Sequence, residues 1–170
     1  SSAAADGKVQ VVASTNVWGD VVRQVGGDLV EVTSVVDDPS VDPHSFEANA
    51  RVELAMSRAD LVVVNGGGYD DFASPLLDAL DQAPPVVVAV DSHAADDAHA
   101  DESPEATPAE RTHAEDTHAE DTHAEDGHAH GEGNEHVWYD LPTVEAVALD
   151  VADELAALAP EHAAQLRANA

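Results

Sequence analysis

The sequence predicts an α/β fold: a four-stranded parallel sheet with helices on both faces. Three observations carry this reading. Short β-branched runs recur at residues 9–13, 31–36, 61–64 and 86–90, with the length and composition of strands. Between them lie stretches whose apolar residues fall at helical spacing. Strand and helix alternate, and strands this apolar need cover on both faces, which crossover helices on a parallel sheet supply.

Taken in order, residues 9–13 form the first strand and residues 17–25 the first helix. Asn16 is placed to cap that helix and Gly26-Gly27 to end it. Residues 31–36 read as the second strand. Residues 48–58 carry Val52, Leu54, Ala55 and Met56 in a helix-compatible pattern, and residues 61–64 form a buried strand. Gly66-Gly67-Gly68 makes a turn, residues 72–80 a helix, and residues 86–90 a fourth strand introduced by Pro84-Pro85. Beyond a brief Val137-Trp138-Tyr139 segment, Val144, Val147, Ala148, Val151, Ala152, Leu155 and Leu158 line one face of a long helix. Pro160 suits the first turn of a last helix running over 161–170. The opening seven residues read as a flexible leader of the kind left by processing, which suits a secreted or lipid-anchored protein.

The composition breaks once. Residues 92–135 contain no Val, Ile, Leu, Met, Phe, Tyr or Trp, yet hold seven of the ten histidines and 14 acidic residues. With only alanine to bury, the stretch cannot offset the entropy of ordering and is expected to be a disordered loop. Thr-His-Ala-Glu-Asp occurs three times in succession from Thr112 to Asp126. A five-residue period scatters histidines around a helix, so this is a metal- or proton-binding composition and not a folded repeat. Its histidines are His93, His99, His113, His118, His123, His128 and His130.

Charge narrows the function. Six Lys and Arg oppose 35 Asp and Glu over 170 residues, for a net charge of −29. Nucleic acid and anionic membrane surfaces need basic clusters, so cations are the natural partners of this surface. The absence of cysteine excludes disulfides, thiolate metal sites and thiol nucleophiles. No apolar run approaches the roughly 18 residues of a membrane-spanning helix.

Two histidines stand apart from the loop set. His44 lies in Asp42-Pro43-His44-Ser45-Phe46-Glu47, just past the second strand. Open parallel sheets bind ligands beyond their strand carboxyl ends, and Pro43 stiffens the turn that would hold the imidazole. His136 lies in Asn134-Glu135-His136-Val137-Trp138-Tyr139-Asp140, where order resumes beside an aromatic pair. Taken singly, each is equally compatible with a loop histidine bonded to backbone. Trp18 suits either a cleft wall or the core. His162 reads as a solvated helix residue, and Asp37-Asp38 and Asp70-Asp71 as turn and cap residues.

Several segments together resemble the metal-binding (cluster A-I) solute-binding proteins of ABC importers, particularly the zinc-uptake members. They are Val25-Gly26-Gly27-Asp28, Asp42-Pro43-His44-Ser45-Phe46-Glu47, Arg58-Ala59-Asp60-Leu61-Val62-Val63-Val64-Asn65-Gly66 and His136-Val137-Trp138-Tyr139-Asp140. The acidic histidine-rich loop is similar too, and Pro160-Glu161-His162 with Ala168-Asn169-Ala170 resembles the start of that family's interdomain helix. The resemblance implies a two-lobed solute-binding protein of which this chain carries the first-lobe pattern, with His44 and His136 as first-lobe metal ligands. Departures occur at Glu47-Ala48-Asn49-Ala50 and at Asp140-Leu141-Pro142, both at helix starts. The implied organisation is a leader at 1–7, a metal-binding lobe over 8–91 and 136–158, the loop at 92–135, and the interdomain helix from 159.

The expected function is extracytoplasmic capture of Zn2+ and its delivery to the membrane permease of an ABC importer, without enzymatic activity. The loop would serve as an auxiliary, low-affinity zinc collector or sensor. Imidazole ligands favour zinc over manganese, which is the alternative cargo. From other classes, the rivals are a small doubly wound enzyme cradling a phosphate at Gly66-Gly67-Gly68, and an acidic interaction domain with incidental histidines. The glycine turn lacks the lysine and glycine spacing of a phosphate loop. An isolated lobe is also expected to self-associate through its uncovered cleft wall.

Overall fold

The computed structural model describes residues 7–92 and 134–170. Of the leader only Gly7, and of the 92–135 loop only Ser92, Asn134 and Glu135, are among the described residues; the seven loop histidines lie outside them. Four strands form one parallel sheet: β1 (Val9–Thr15), β2 (Val30–Val36), β3 (Leu61–Val64) and β4 (Val86–Val88). Their order across the sheet is β2-β1-β3-β4. Val9 pairs with Val30, Val11 with Leu61 and Val62 with Val86. The strand order reverses direction between β1 and β3, which opens a crevice at their carboxyl ends.

Among the described residues, helices α1 (Asn16–Gly26), α2 (Ala50–Arg58), α3 (Ala73–Asp78), α4 (Leu141–Leu158) and α5 (Ala163–Asn169) accompany the strands. Alternation along each strand sends side chains to opposite faces. Val11, Ala13, Leu61 and Val63 therefore join a core with Trp18, Val22 and Val25 of α1, Val147, Val151 and Leu155 of α4, and Leu166 of α5. Val12, Val62 and Val64 point the other way, onto Met56 of α2 and Ala73 of α3. Both faces are covered, as the apolar strands require.

Details differ from the sequence reading where capping or local bonding decides. Asn16 is the first helical residue, not the cap; Thr15 occupies that position in extended backbone without a side-chain bond. Asn49 does cap α2, its side-chain oxygen accepting the N–H groups of Arg51 and Val52. Leu54 of that helix faces solvent, at 48 % exposure. The fourth strand stops at Val88 and residues 89–92 are helical. Asp140 caps α4, accepting from the Thr143 N–H at 3.1 Å and its hydroxyl at 2.7 Å, so the unusual Asp140-Leu141-Pro142 start is a well-made one. The final segment opens with a 3-10 turn, Pro160–His162, before α5. Leu166 is buried and the Asn169 amide donates to the Val25 carbonyl at 2.9 Å, which ties α5 to α1.

Candidate metal centre

His44 is placed by its own turn. Pro43 is buried and opens a 3-10 turn, Pro43–Ser45, while the Asp42 carboxylate accepts the His44 N–H at 3.0 Å. The backbone of His44 is thereby fixed while its imidazole stays 41 % exposed. His136 is placed by a neighbour in the same way. Asn134 Oδ1 accepts the His136 N–H at 3.1 Å and lies 3.1 Å from its Nδ1. If Nδ1 carries the proton in that contact, the Nε2 lone pair is left for a ligand bond.

The two histidines come together across Tyr69. The His44 and Tyr69 rings meet edge-on with centroids 5.1 Å apart, and the Tyr69 and His136 centroids are 5.9 Å apart. Trp138 closes the group, 4.6 Å from Tyr69 and 5.1 Å from His136. A concavity of about 230 Å³ at the same end of the sheet is walled by Tyr69, Trp138, Tyr139 and the residues after β1 and β2.

Tyr69 reaches this position because the chain turns tightly after β3. Gly66, Gly67 and Gly68 have φ of 76°, 65° and 91°, a left-handed run that only glycine adopts without strain. Asp70 stabilises the turn from inside, its buried carboxylate accepting the N–H of Asn65 at 2.7 Å and of Gly66 at 2.9 Å. Two amides that could have cradled a phosphate are thus already committed to a carboxylate. Asn65 then joins three parts of the molecule. Its Oδ1 accepts the Trp18 indole N–H at 3.1 Å, and its Nδ2 donates to the Glu135 carbonyl at 2.7 Å. Trp18 itself is wholly buried and fills the core.

Electrostatics at the site are negative. Burial pushes the Tyr69 phenol above its ordinary value, and the carboxylates of Asp42, Asp70 and Glu135 push it further. Among the described residues, no three His, Asp or Glu side chains are gathered into a metal cage. His44 Nε2 and Glu135 Oε1 stand 3.1 Å apart. Sequence reasoning missed Tyr69 and Glu135. Glu135 was counted with the loop carboxylates, and nothing in the local sequence signals the tertiary approach that brings either residue to His44. His162 sits apart, 40 % exposed and 3.8 Å from Glu161.

Residues 11–170 match the family described as ZnuA, the periplasmic zinc-uptake complex component A. The chain belongs to that family. Among sequence relatives, it is 35 % identical over 66 residues to the metal ABC transporter substrate-binding lipoprotein FimA of Streptococcus parasanguinis, covering 39 % of this chain and 21 % of that protein. It is 37 % identical over 62 residues to the manganese-binding lipoprotein MntA of Bacillus subtilis, covering 36 % of this chain and 20 % of that one. In fold it is similar to the periplasmic metal-binding protein of Candidatus Liberibacter asiaticus, with a TM-score of 0.65 at 21 % identity, covering 95 % of this chain and 50 % of that one. Zinc-bound AdcA of Streptococcus pneumoniae gives a TM-score of 0.65 at 20 % identity, covering 96 % and 29 %. The ZnuA-family chain thus spans about half of one such structure and matches about a fifth of the curated relatives' length. The family is one of transport components and not of enzymes, which speaks against the phosphate-substrate alternative.

Proposed function

We propose that this ZnuA-family chain is the first, metal-receiving lobe of an extracytoplasmic protein that captures Zn2+ and passes it to the membrane permease of an ABC importer. His44 and His136 are its metal ligands. The observation that carries this reading is their convergence on one tyrosine ring, although most of the chain separates them in sequence. Both imidazoles sit at the carboxyl edge of a parallel sheet, where such folds take ligands. Each is fixed at its backbone by a neighbouring side chain, so little entropy is lost when an ion engages it. The carboxylates around Tyr69 favour a cation there. Two imidazoles suit zinc better than manganese, and the family description points the same way. Manganese stands as the second reading because MntA, a relative in sequence, is named for it.

Tetrahedral zinc takes four donors. Two from this lobe leave positions for a carboxylate, water or a second lobe. His93, His99, His113, His118, His123, His128 and His130 form an auxiliary set that collects zinc loosely. Calorimetric titration tests the assignment: His44→Ala and His136→Ala should each abolish the tightest zinc event, and unchanged affinity in both variants would remove it.

A further inference from the structure

We propose that Glu135 is a metal ligand of this lobe, its carboxylate and the His44 imidazole taking one divalent cation between them. The inference rests on His44 being a ligand and adds to that reading a donor it does not require. His44 Nε2 and Glu135 Oε1 are 3.1 Å apart. Donors held at zinc-ligand distances with tetrahedral angles stand about 3.3–3.5 Å from one another. The pair is therefore close to coordination spacing before any ion arrives, and a cation can enter between the two atoms with little movement.

Glu135 is also seated, not loosely attached. Its side chain is only 22 % exposed, although it is a glutamate flanking a histidine-rich segment. Asn65 holds its carbonyl at 2.7 Å and is itself held by the buried Trp18 indole at 3.1 Å. The glycine turn fits against it: a Cβ on Gly67 would lie 3.6 Å from the Glu135 Cβ, and one on Gly68 would lie 3.9 Å from Oε2. The turn singled out in the sequence as a possible phosphate loop thus provides the floor on which this carboxylate rests. The pair supplies one imidazole and one carboxylate, donor types that zinc accepts; His136, next in the chain, is not gathered with them into a three-donor cage.

A carboxylate that only orients His44 would also matter for affinity, so the test must separate ligation from positioning. The full chain is titrated with zinc, and separately with cobalt(II), whose visible d–d bands report its ligand field. Three proteins are compared: wild type, Glu135→Gln and His44→Ala, with circular dichroism confirming the fold. Gln keeps the size and hydrogen-bonding capacity of Glu but is a poor ligand. The expected result in Glu135→Gln is an affinity loss at the tightest site beyond the roughly 10–100-fold that an orienting partner costs, together with a changed cobalt envelope at saturation. An affinity loss with the wild-type envelope would make Glu135 a positioning residue and overturn the inference, as would unchanged affinity. If His44→Ala loses the tight site while Glu135→Gln does not, the inference alone fails. If His44→Ala keeps it, the reading of the lobe fails and takes the inference with it.

Discussion

Tyr69 is the residue on which the two imidazoles converge, and its environment makes a prediction about pH. Burial first, then the nearby carboxylates, raise its phenol above the ordinary value near 10. Between that value and the folded one, the native state holds a proton that the unfolded chain has lost. The associated stability is fully present below about pH 10 and falls as pH rises through the folded value. Tyrosinate absorbance should show a late-titrating component in the native protein that Tyr69→Phe removes; its persistence in that variant would contradict the assignment. Asn65 makes a second prediction. Replacing it by Ala strands the buried Trp18 N–H, at a cost of about 1–3 kcal/mol, which for a chain this size lowers the melting temperature by about 2–4 °C per kcal/mol. At this scale the sequence was legible where a rigid local motif holds the residue. Asp42-Pro43 announces His44, and the aromatic segment announces His136. Tyr69 and Glu135 were not legible, because their places beside His44 arise only when the turn after β3 meets the segment at 134–136.

Among the elements, the turn over 66–68 is the most exacting. Gly66 has φ +76°, and a Cβ there would sit 2.7 Å from Val88 Cγ1 and 2.8 Å from Val90 Cγ2. Gly66→Ala therefore meets both left-handed strain and a clash with the side chains of Val88 and Val90. It should destabilise by about 1–3 kcal/mol or more and weaken zinc binding through displacement of Tyr69. A denaturant midpoint equal to wild type would show that the turn tolerates a side chain. The strands were readable as short apolar β-branched runs, buried on both faces, and α4 from its period, since burying one face of a helix imposes a spacing that the sequence must carry. Element ends were less readable. The fourth strand gives way to helix after Val88, yet the Val90 N–H still bonds the Asn65 carbonyl at 3.0 Å; that bond depends on where β3 ends, not on the composition of 86–90. Likewise Thr15 and Asn16 are both competent caps, and β1 extending to Thr15 decides between them.

For the whole molecule, two quantities matter: a net charge of −29 and an apolar rim at the site. Tyr139 and Leu141 are 80 % and 79 % exposed at that end, beside the concavity that Tyr139 helps to wall. Such residues favour association, while the charge opposes it and is screened by salt. Sedimentation should show self-association that increases with ionic strength; a monomer at all salt concentrations would contradict it. Removing residues 93–133 should take away the weak zinc events and leave the tightest one. The central claim is that His44 and His136 bind one ion together. A double-mutant cycle in zinc affinity, using His44→Ala, His136→Ala and the pair, tests it most directly. Two ligands of one ion should be strongly non-additive, the double variant binding little worse than either single one. Additive losses would mean two independent sites and would contradict the shared centre.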